Sequence, residues 1–289
     1  MFKLRIGFLL SGIATGCVLL FTFFWTLPDG KLHIVFCNVG QGDSAYVRFP
    51  DGRDMIVDGG PDDSLLPCLG RHMPFWDRHV NIVVLSHPQK DHLQGLLSVF
   101  ERFSVDYFVR SDVENNSEGF KQLIELIRRK KISEKLETSG DRIKIGATSL
   151  SFIWPSDSQI AKHTGELNDS CLVFFLRFGS FDALFPGDAD SHVEKYYTGS
   201  LLADDSVELL KVPHHGSKTG MTDDFINWIH PKTAVISVGK NSYGHPSNEA
   251  IGLLSSVGAN VFRTDKNGDV EVVSDGKGFV VNPQKKVVQ

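Results

Sequence analysis

The chain has 289 residues, of which 41% are hydrophobic and 22% are charged, and its formal net charge is −5. This composition is typical of a globular protein and excludes a disordered chain. The negative balance also excludes non-specific nucleic-acid binding through overall charge, although a local basic patch stays compatible with it.

The N-terminal segment differs from the rest of the chain. Residues 6–28 contain no charged side chain, and a helix over residues 6–27 would be about 33 Å long, enough to cross a membrane. Lys3 and Arg5 precede it, so the positive-inside rule places residues 30–289 outside the cytoplasm. We therefore predict an anchor or signal segment at residues 1–29 and one domain at residues 30–289. The alternatives are secretion after signal cleavage and lipoprotein processing at Cys17.

Short apolar runs between Gly and Asp-Gly turns predict strands, and apolar residues spaced three or four apart predict helices. In chain order, the predicted elements are strands over 32–36, 44–49, 55–57 and 81–86, helices over 92–103 and 120–129, strands over 142–145, 149–153, 171–178, 181–185 and 207–212, a helix over 223–229, a strand over 234–238, a helix over 249–257, and strands over 261–263 and 270–273. This order favours two sheets flanked by helices.

The four cysteines form no Cys-x-x-Cys pair, so the sequence does not predict a zinc site built from cysteines. Cys37 and Cys171 lie beside apolar runs. We expect both to be buried free thiols.

The first cluster of ligand-type residues follows the strand at 81–86. The loop His87-Pro88-Gln89-Lys90-Asp91-His92 holds two imidazoles and a carboxylate within six residues, a set that suits a divalent metal ion. The alternative is a loop whose histidines cap a helix and whose aspartate is solvated. Further strand ends lead into Asp58, Asp188 and the pair His214-His215, and four such strand ends together favour a metal site.

These residues resemble the metallo-β-lactamase superfamily, whose central motif is His-x-His-x-Asp-His. Further motifs resemble the C-terminal hydrolase domain of ComEC-type competence DNA-uptake proteins over residues 31–282. They are Asn38-Val39-Gly40-Gln41-Gly42-Asp43-Ser44, Asp58-Gly59-Gly60, Asn168-Asp169-Ser170, Gly187-Asp188, His214-His215-Gly216-Ser217, Ser242-Tyr243-Gly244-His245-Pro246 and Thr264-Asp265-Lys266-Asn267-Gly268.

The resemblance implies a four-layer αββα sandwich with one or two divalent ions, zinc or manganese, at one edge of its sheets. The implied ligands are His87 for one ion, Asp91, His92 and His215 for the other, and Asp188 between them. Gln89 and Asn168 stand where many relatives have stronger ligands, so they would bind the first ion only weakly.

Further roles follow from the same resemblance. Asp58 would hold the His87–His92 loop by hydrogen bonds, and Ser217 and Lys90 would lie near the substrate. Catalysis would involve Asp91, His214 and His245, through orientation of the nucleophile and help to the leaving group. The lysines at 90, 211, 218 and 240 would form a basic rim or remain solvated.

The function implied is that of a metal-dependent hydrolase, a phosphodiesterase or nuclease related to DNA uptake. Its substrate would be single-stranded DNA or another phosphodiester, and it would contact the membrane through residues 6–27. One alternative is a hydrolase of a small ester, lactone or amide. The other is a catalytically degenerate metal- or DNA-binding module, which Gln89 favours. The sequence predicts no protein partner.

Overall fold

The computed structural model describes residues 2–25, 27–156, 166–198 and 207–286. Within these ranges the strands form an eight-stranded and a seven-stranded sheet. In chain order the strands are β1 (Leu32–Phe36), β2 (Ala45–Arg48), β3 (Asp54–Val57), β4 (His79–Leu85), β5 (Ser104–Arg110), β6 (Ser133–Leu136), β7 (Arg142–Ile145), β8 (Thr148–Trp154), β9 (Val173–Phe178), β10 (Phe181–Phe185), β11 (Leu209–Lys211), β12 (Thr233–Ile236), β13 (Asn260–Arg263), β14 (Val270–Ser274) and β15 (Phe279–Pro283).

The two sheets share a pattern of antiparallel and parallel pairing. The first has the order β15-β14-β1-β2-β3-β4-β5-β6, and the second has the order β13-β12-β11-β10-β9-β8-β7. Strands β3 to β6 are parallel in the first sheet, and β10 to β13 are parallel in the second. Each sheet therefore has one edge where the carboxyl ends of several parallel strands meet.

Helices connect the strands. They are α1 (Phe2–Trp25), α2 (Leu65–His72), α3 (Lys90–Arg102), α4 (Glu118–Lys130), α5 (Ser191–Tyr197), α6 (Asp223–Ile229), α7 (Asn248–Ser256) and the single turn α8 (Thr264–Asn267). The prediction did not include α2, α5, α8 or the strands β5, β6 and β15. The other predicted elements are present, with ends shifted by a few residues.

The side-chain alternation of the strands builds three apolar layers. In β1, Ile34 and Phe36 face the core between the two sheets, while Val35 faces the core beneath α2, α3 and α4. In β9, Phe174 points into the same central core, while Phe175 packs beneath α5, α6 and α7. Successive residues of a strand point to opposite faces, so the two sheets pack against each other and helices cover both outer faces.

The N-terminal segment differs from the prediction of a helix over residues 6–27. A helix is present, but it ends at Trp25, and Leu27 lies outside it. Within the part of the chain that the structure describes, no helix is both long and apolar enough to cross a membrane. The domain boundary between residues 29 and 30 stays a prediction.

The expectation of a free thiol at Cys37 is wrong. Cys37, directly after β1, forms a disulfide with Cys68 in α2, and their Cα atoms are 5.9 Å apart. The bond ties the first sheet to the helix that covers it. Cys171 is a buried free thiol, as predicted.

Candidate metal centre

The candidate site lies at the carboxyl ends of parallel strands from both sheets, where α/β proteins collect ligands. β3 and β4 lead into Asp58 and His87, and β10 and β11 lead into Asp188 and His215. All four side chains are buried. The structure therefore brings together residues that the sequence separates by more than 150 positions.

Two carboxylates and two imidazoles converge in this site, on Asp91, His92, Asp188 and His215. One potential ligand atom of each lies within 4.8 Å of the others. Oδ2 of Asp188 is 3.2 Å from Nε2 of His92 and 3.2 Å from Nε2 of His215. Oδ2 of Asp91 is 3.3 Å from Nε2 of His215. We call these four residues the ligand cluster.

The ligand cluster fits one divalent metal ion. Bonds of about 2.0–2.2 Å place the ligand atoms of a tetrahedral ion roughly 3.3–3.6 Å apart, close to the distances observed here. Among the residues that the structure describes, Nε2 of His92 and Nε2 of His215 are buried without a hydrogen-bond partner. Buried polar atoms are rarely left unpaired, so both nitrogens are suited to bind a metal ion.

Hydrogen bonds fix the orientation of both imidazoles. Nδ1 of His92 is 2.9 Å from Oδ2 of Asp58, and Nδ1 of His215 is 2.9 Å from the carbonyl oxygen of Ser237. Donation from Nδ1 leaves the Nε2 lone pair for a metal ion. Burial opposes protonation of the two rings, but the Asp188 carboxylate raises the pKa of both. A metal ion would therefore take the place of a proton.

Asp58 lies where the sequence predicts it, beneath the loop. Its carboxylate accepts hydrogen bonds from the backbone N–H and the hydroxyl of Ser86, both at 2.7 Å. Asp58 itself has a φ of 58°, a conformation that Asp tolerates better than most residues. Burial raises the pKa of Asp58, although His92 opposes that effect.

The second half of the predicted metal site is less complete. His87 is buried with Nε2 unpartnered, but it is not part of the ligand cluster. Burial, then neighbouring His92, lowers the pKa of His87 to about 3, so the ring is neutral. Gln89 donates from Nε2 to Oδ1 of Asn168 at 2.6 Å. The two weak ligands are thus bonded to each other. The carboxylates that interact with His87 are those of Asp188 and Asp91, which both belong to the ligand cluster.

Lys211 and Asp43 form a buried ion pair next to the ligand cluster, a pair that the sequence did not predict. The Lys211 ammonium contacts the Asp43 carboxylate, lies 3.4 Å from Oδ1 of Asp188 and donates to the carbonyl of Gly187 at 2.9 Å. Burial opposes the charge of Lys211, but the two carboxylates raise its pKa. Burial likewise works against ionisation of Asp43, but Lys211 holds its pKa below the ordinary value.

Lys211 therefore does not belong to the predicted basic rim, because it is 4% exposed. A single lysine within the apolar run Leu209-Leu210-Lys211-Val212 was the available signal. Such a residue in a buried strand needs buried anions as partners. Asp43, within the Asn38–Ser44 motif, is one of them.

An open cleft of about 780 Å³ lies above the ligand cluster. It is lined by Gln41, Pro61, Gln89, Lys90, Asp91, Asp188, His214, His215, Lys240, Asn241, Ser242, Tyr243 and His245. Asp91 is the ligand most open to this cleft, since its side chain is 33% exposed while the other three are 0–2% exposed. The predicted residues Lys90, His214 and His245 all line the cleft.

The two cleft histidines differ in their surroundings. Nδ1 of His214 is 2.9 Å from Oδ1 of Asp190, and although burial opposes protonation, this bond raises the pKa of His214. Burial lowers the pKa of His245, and the nearby His214 and His215 lower it further. The predicted residue Ser217 does not line the cleft. It is buried beside Thr219, which donates to Asp190.

Glu194 of α5 binds Thr222, the residue that precedes α6. Its Oε2 accepts from the backbone N–H and the hydroxyl of Thr222, at 3.1 and 2.6 Å. Burial raises the pKa of Glu194 from 4.5 to about 7, although the Thr222 bonds oppose the change. The folded state thus keeps a proton that the unfolded state loses above pH 4.5, so this residue makes the fold less stable as pH rises from 4.5 to 7.

We therefore expect the Glu194→Gln variant to gain stability relative to the native chain as pH rises. Between pH 4.5 and pH 8, the free energy of unfolding of Glu194→Gln should rise by about 3 kcal/mol relative to that of the native chain. Urea unfolding across this range measures it. Equal pH dependence of the two proteins would contradict a raised pKa at Glu194.

Several known bacterial proteins are similar to this chain in sequence. ComE operon protein 3 of Bacillus subtilis is 26% identical over 271 residues, which cover 88% of this chain and 34% of that protein. Competence protein ComA of Neisseria gonorrhoeae is 24% identical over 250 residues, covering 85% and 33%. The chain spans about a third of the length of these relatives. No family model matches it.

The metallo-beta-lactamase fold protein YhfI of Bacillus subtilis aligns with a TM-score of 0.54 at 13% identity, covering 83% of this chain and 99% of that one. The chain has the metallo-β-lactamase fold. The predicted resemblance to metallo-β-lactamase-fold and competence proteins is thereby confirmed. Within this fold, the ligand cluster is a candidate site for a divalent metal ion.

Proposed function

We propose that this chain is a metal-dependent phosphodiesterase that cleaves single-stranded DNA outside the cytoplasm. The ligand cluster carries the proposal, because two buried imidazole nitrogens without hydrogen-bond partners lie beside two carboxylates at the base of an open cleft. Zinc and manganese both suit this donor set. The competence proteins among the relatives favour DNA as the phosphodiester.

When bound, a divalent ion supplies the acidity that turns water into a nucleophile near neutral pH. Side chains of this chain orient the water, bind the phosphate and protonate the leaving group. Asp91, the ligand most open to the cleft, orients the attacking water. Lys90 and Lys240 lie exposed on the cleft rim and attract the phosphate backbone. His214, oriented by Asp190, donates a proton to the leaving oxygen.

His245 completes this arrangement. Its ring centroid is 5.6 Å from that of His214 and 6.5 Å from that of His215, so it lies between the ligand cluster and the rim. Nδ1 of His245 is buried without a hydrogen-bond partner among the described residues. We propose that this nitrogen contacts a phosphate oxygen of the substrate or the water that attacks it.

The Cys37–Cys68 disulfide supports a location outside the cytoplasm, because such bonds persist in oxidising compartments. α1 exposes large apolar side chains, among them Phe8, Leu9 and Phe21, which supports contact with a lipid surface. Protease added to intact spheroplasts should then degrade the domain, and the chain should fractionate with membranes. Protection of the domain or recovery in the soluble fraction would contradict this location.

The proposed reaction is tested by assaying the full chain with Mn²⁺ or Zn²⁺. The substrates are a labelled single-stranded oligodeoxynucleotide, its duplex, bis(p-nitrophenyl) phosphate and p-nitrophenyl acetate. We expect cleavage of both the single strand and bis(p-nitrophenyl) phosphate, and a loss of at least 100-fold in Asp91→Asn. Removing a group that acts on the reacting atoms commonly costs this much.

Asp275→Asn is the matched control. Asp275 lies in the turn between β14 and β15, and the carbonyl oxygen of Gly276 in this turn accepts a hydrogen bond from the backbone N–H of Ser180. Ser180 precedes β10, whereas Asp188 follows it, so Asp275 is at the opposite end of the sheet from the ligand cluster. It should retain the native rate. If only p-nitrophenyl acetate is turned over, the chain is an esterase and the proposed phosphodiesterase activity is wrong. Tight metal binding without turnover of any substrate would show a binding module and overturn the proposal.

A further inference from the structure

One aromatic ring at the rim of the cleft is largely exposed to solvent. Tyr243 is 74% exposed. It lies in the loop between β12 and α7 and lines the same cleft as the ligand cluster. Burial of a tyrosine ring is favourable, so exposure here leaves a binding surface available.

The loop that carries Tyr243 is held in place by one side chain. Oδ1 of Asn241 accepts from the backbone N–H groups of Tyr243, Gly244 and His245 at 3.0–3.1 Å. Its Nδ2 donates to the carbonyl oxygens of Gly239 and His245 at 2.9 and 2.8 Å. Five hydrogen bonds therefore fix the turn. A ring presented by an ordered turn loses little additional freedom when a ligand stacks on it.

A row of rings links Tyr243 to the ligand cluster. The ring centroids of Tyr243 and His245 are 5.7 Å apart, and those of His245 and His215 are 6.5 Å apart. Tyr243 is thus separated from a proposed metal ligand by one imidazole. A group stacked on Tyr243 would belong to a part of the substrate close to the bond that is cleaved.

The charges of the cleft rim indicate what that group is. Lys90 and Lys240 are exposed and line the cleft together with Tyr243. An aromatic ring beside cations in an open groove is how proteins hold single-stranded nucleic acid: the cations follow the phosphates, and the ring stacks on a base. Bases in a duplex are already stacked on each other, so this surface selects an unpaired strand.

We propose that Tyr243 stacks on a nucleobase next to the scissile phosphate and thereby selects single-stranded DNA. The inference rests on the proposed phosphodiesterase function of the same cleft. It adds a property that distinguishes a nucleic acid from a simple phosphodiester, since each nucleotide carries a base. Tyr243 would act on substrate binding, while the ligand cluster acts on the reaction.

The test compares Tyr243→Ala with Tyr243→Phe, which keeps the ring and removes only the hydroxyl. Two ligands with the same sugar-phosphate backbone are used, an ordinary single-stranded oligodeoxynucleotide and its fully abasic counterpart. In Tyr243→Ala, the KM for the ordinary strand should rise about 5- to 100-fold more than the KM for the abasic strand. In Tyr243→Phe the two should change by the same factor. An unchanged thermal midpoint shows that each variant is folded.

Fluorescence anisotropy of the same strands with metal-free protein gives a second readout, independent of catalysis. We expect the ratio of the Kd of the abasic strand to the Kd of the ordinary strand to fall in Tyr243→Ala and to stay at the native value in Tyr243→Phe. Equal losses on both strands, or equal behaviour of the two variants, would overturn the role of Tyr243. Failure of the phosphodiesterase proposal is a separate result, because it would appear as absent turnover by the native chain.

Discussion

Substitution of Asp188 by Asn is expected to remove metal binding from the chain. Oδ2 of Asp188 is the atom that lies 3.2 Å from both imidazole nitrogens of the ligand cluster. The asparagine has the same shape, so the packing is preserved. However, it offers a neutral oxygen or an N–H donor in place of a carboxylate, and divalent ions bind both more weakly.

Substitution of a residue that only hydrogen-bonds to a metal ligand commonly lowers metal affinity 10- to 100-fold, and loss of a ligand itself should lower it further. We expect the affinity for Zn²⁺ or Mn²⁺ to fall more than 100-fold, as measured by isothermal titration calorimetry. Asp190→Asn is a control two residues away, because Asp190 contacts His214 rather than the ligand cluster. It should bind metal as the native chain does. Native affinity in Asp188→Asn would mean that the ion binds elsewhere.

Lys211→Met should be the most destabilising single substitution in the site. The ammonium of Lys211 is the shared buried cation of Asp43 and Asp188. Without Lys211, only the neighbouring imidazoles of His92 and His215 compensate the two buried carboxylates. Removal of one partner of a buried ion pair typically costs 3–5 kcal/mol. We expect about this loss in the free energy of unfolding, measured by urea titration of metal-free protein at neutral pH.

Two further variants show whether charge is the cause. Lys218→Met, at an exposed position close in sequence, should change stability by less than about 0.5 kcal/mol. Adding Asp43→Asn to Lys211→Met should recover part of the loss, since one of the two carboxylates that lost the Lys211 contact is then neutral. A Lys211→Met chain as stable as the native one would show that Lys211 does not compensate these charges.

The ligand cluster was accessible from sequence because its residues follow apolar strands. Asp188 comes three residues after the end of β10, and His215 comes four residues after the end of β11. Parallel strands place their carboxyl ends together, so a pattern read strand by strand was enough to bring them into one site. The motif resemblance then ordered them into ligands.

Asp43 and Lys211 could not be found in this way. Their contact joins a loop of the first sheet to a strand of the second, across 168 positions of sequence. Nothing in local composition encodes that distance. The Cys37–Cys68 disulfide was missed for the same reason, because a separation of 31 residues does not fix a pairing.

Two of the missed strands, β6 and β15, have a different explanation. β6 is exposed at all four positions, and in β15 exposed and half-buried residues alternate. Both lie at sheet edges. Edge strands are short and bury little apolar surface, so they lack the continuous apolar runs on which the strand predictions depended.

The most direct test of a one-metal hydrolase site is a crystal of the full chain grown with Zn²⁺ or Mn²⁺ and measured at the absorption edge of that metal. We expect one strong anomalous peak within bonding distance of Asp91, His92, Asp188 and His215, and we expect this peak to disappear in Asp188→Asn. A structure with no peak among these four residues, or with the metal held by other side chains, would show that the ligand cluster is not the metal site.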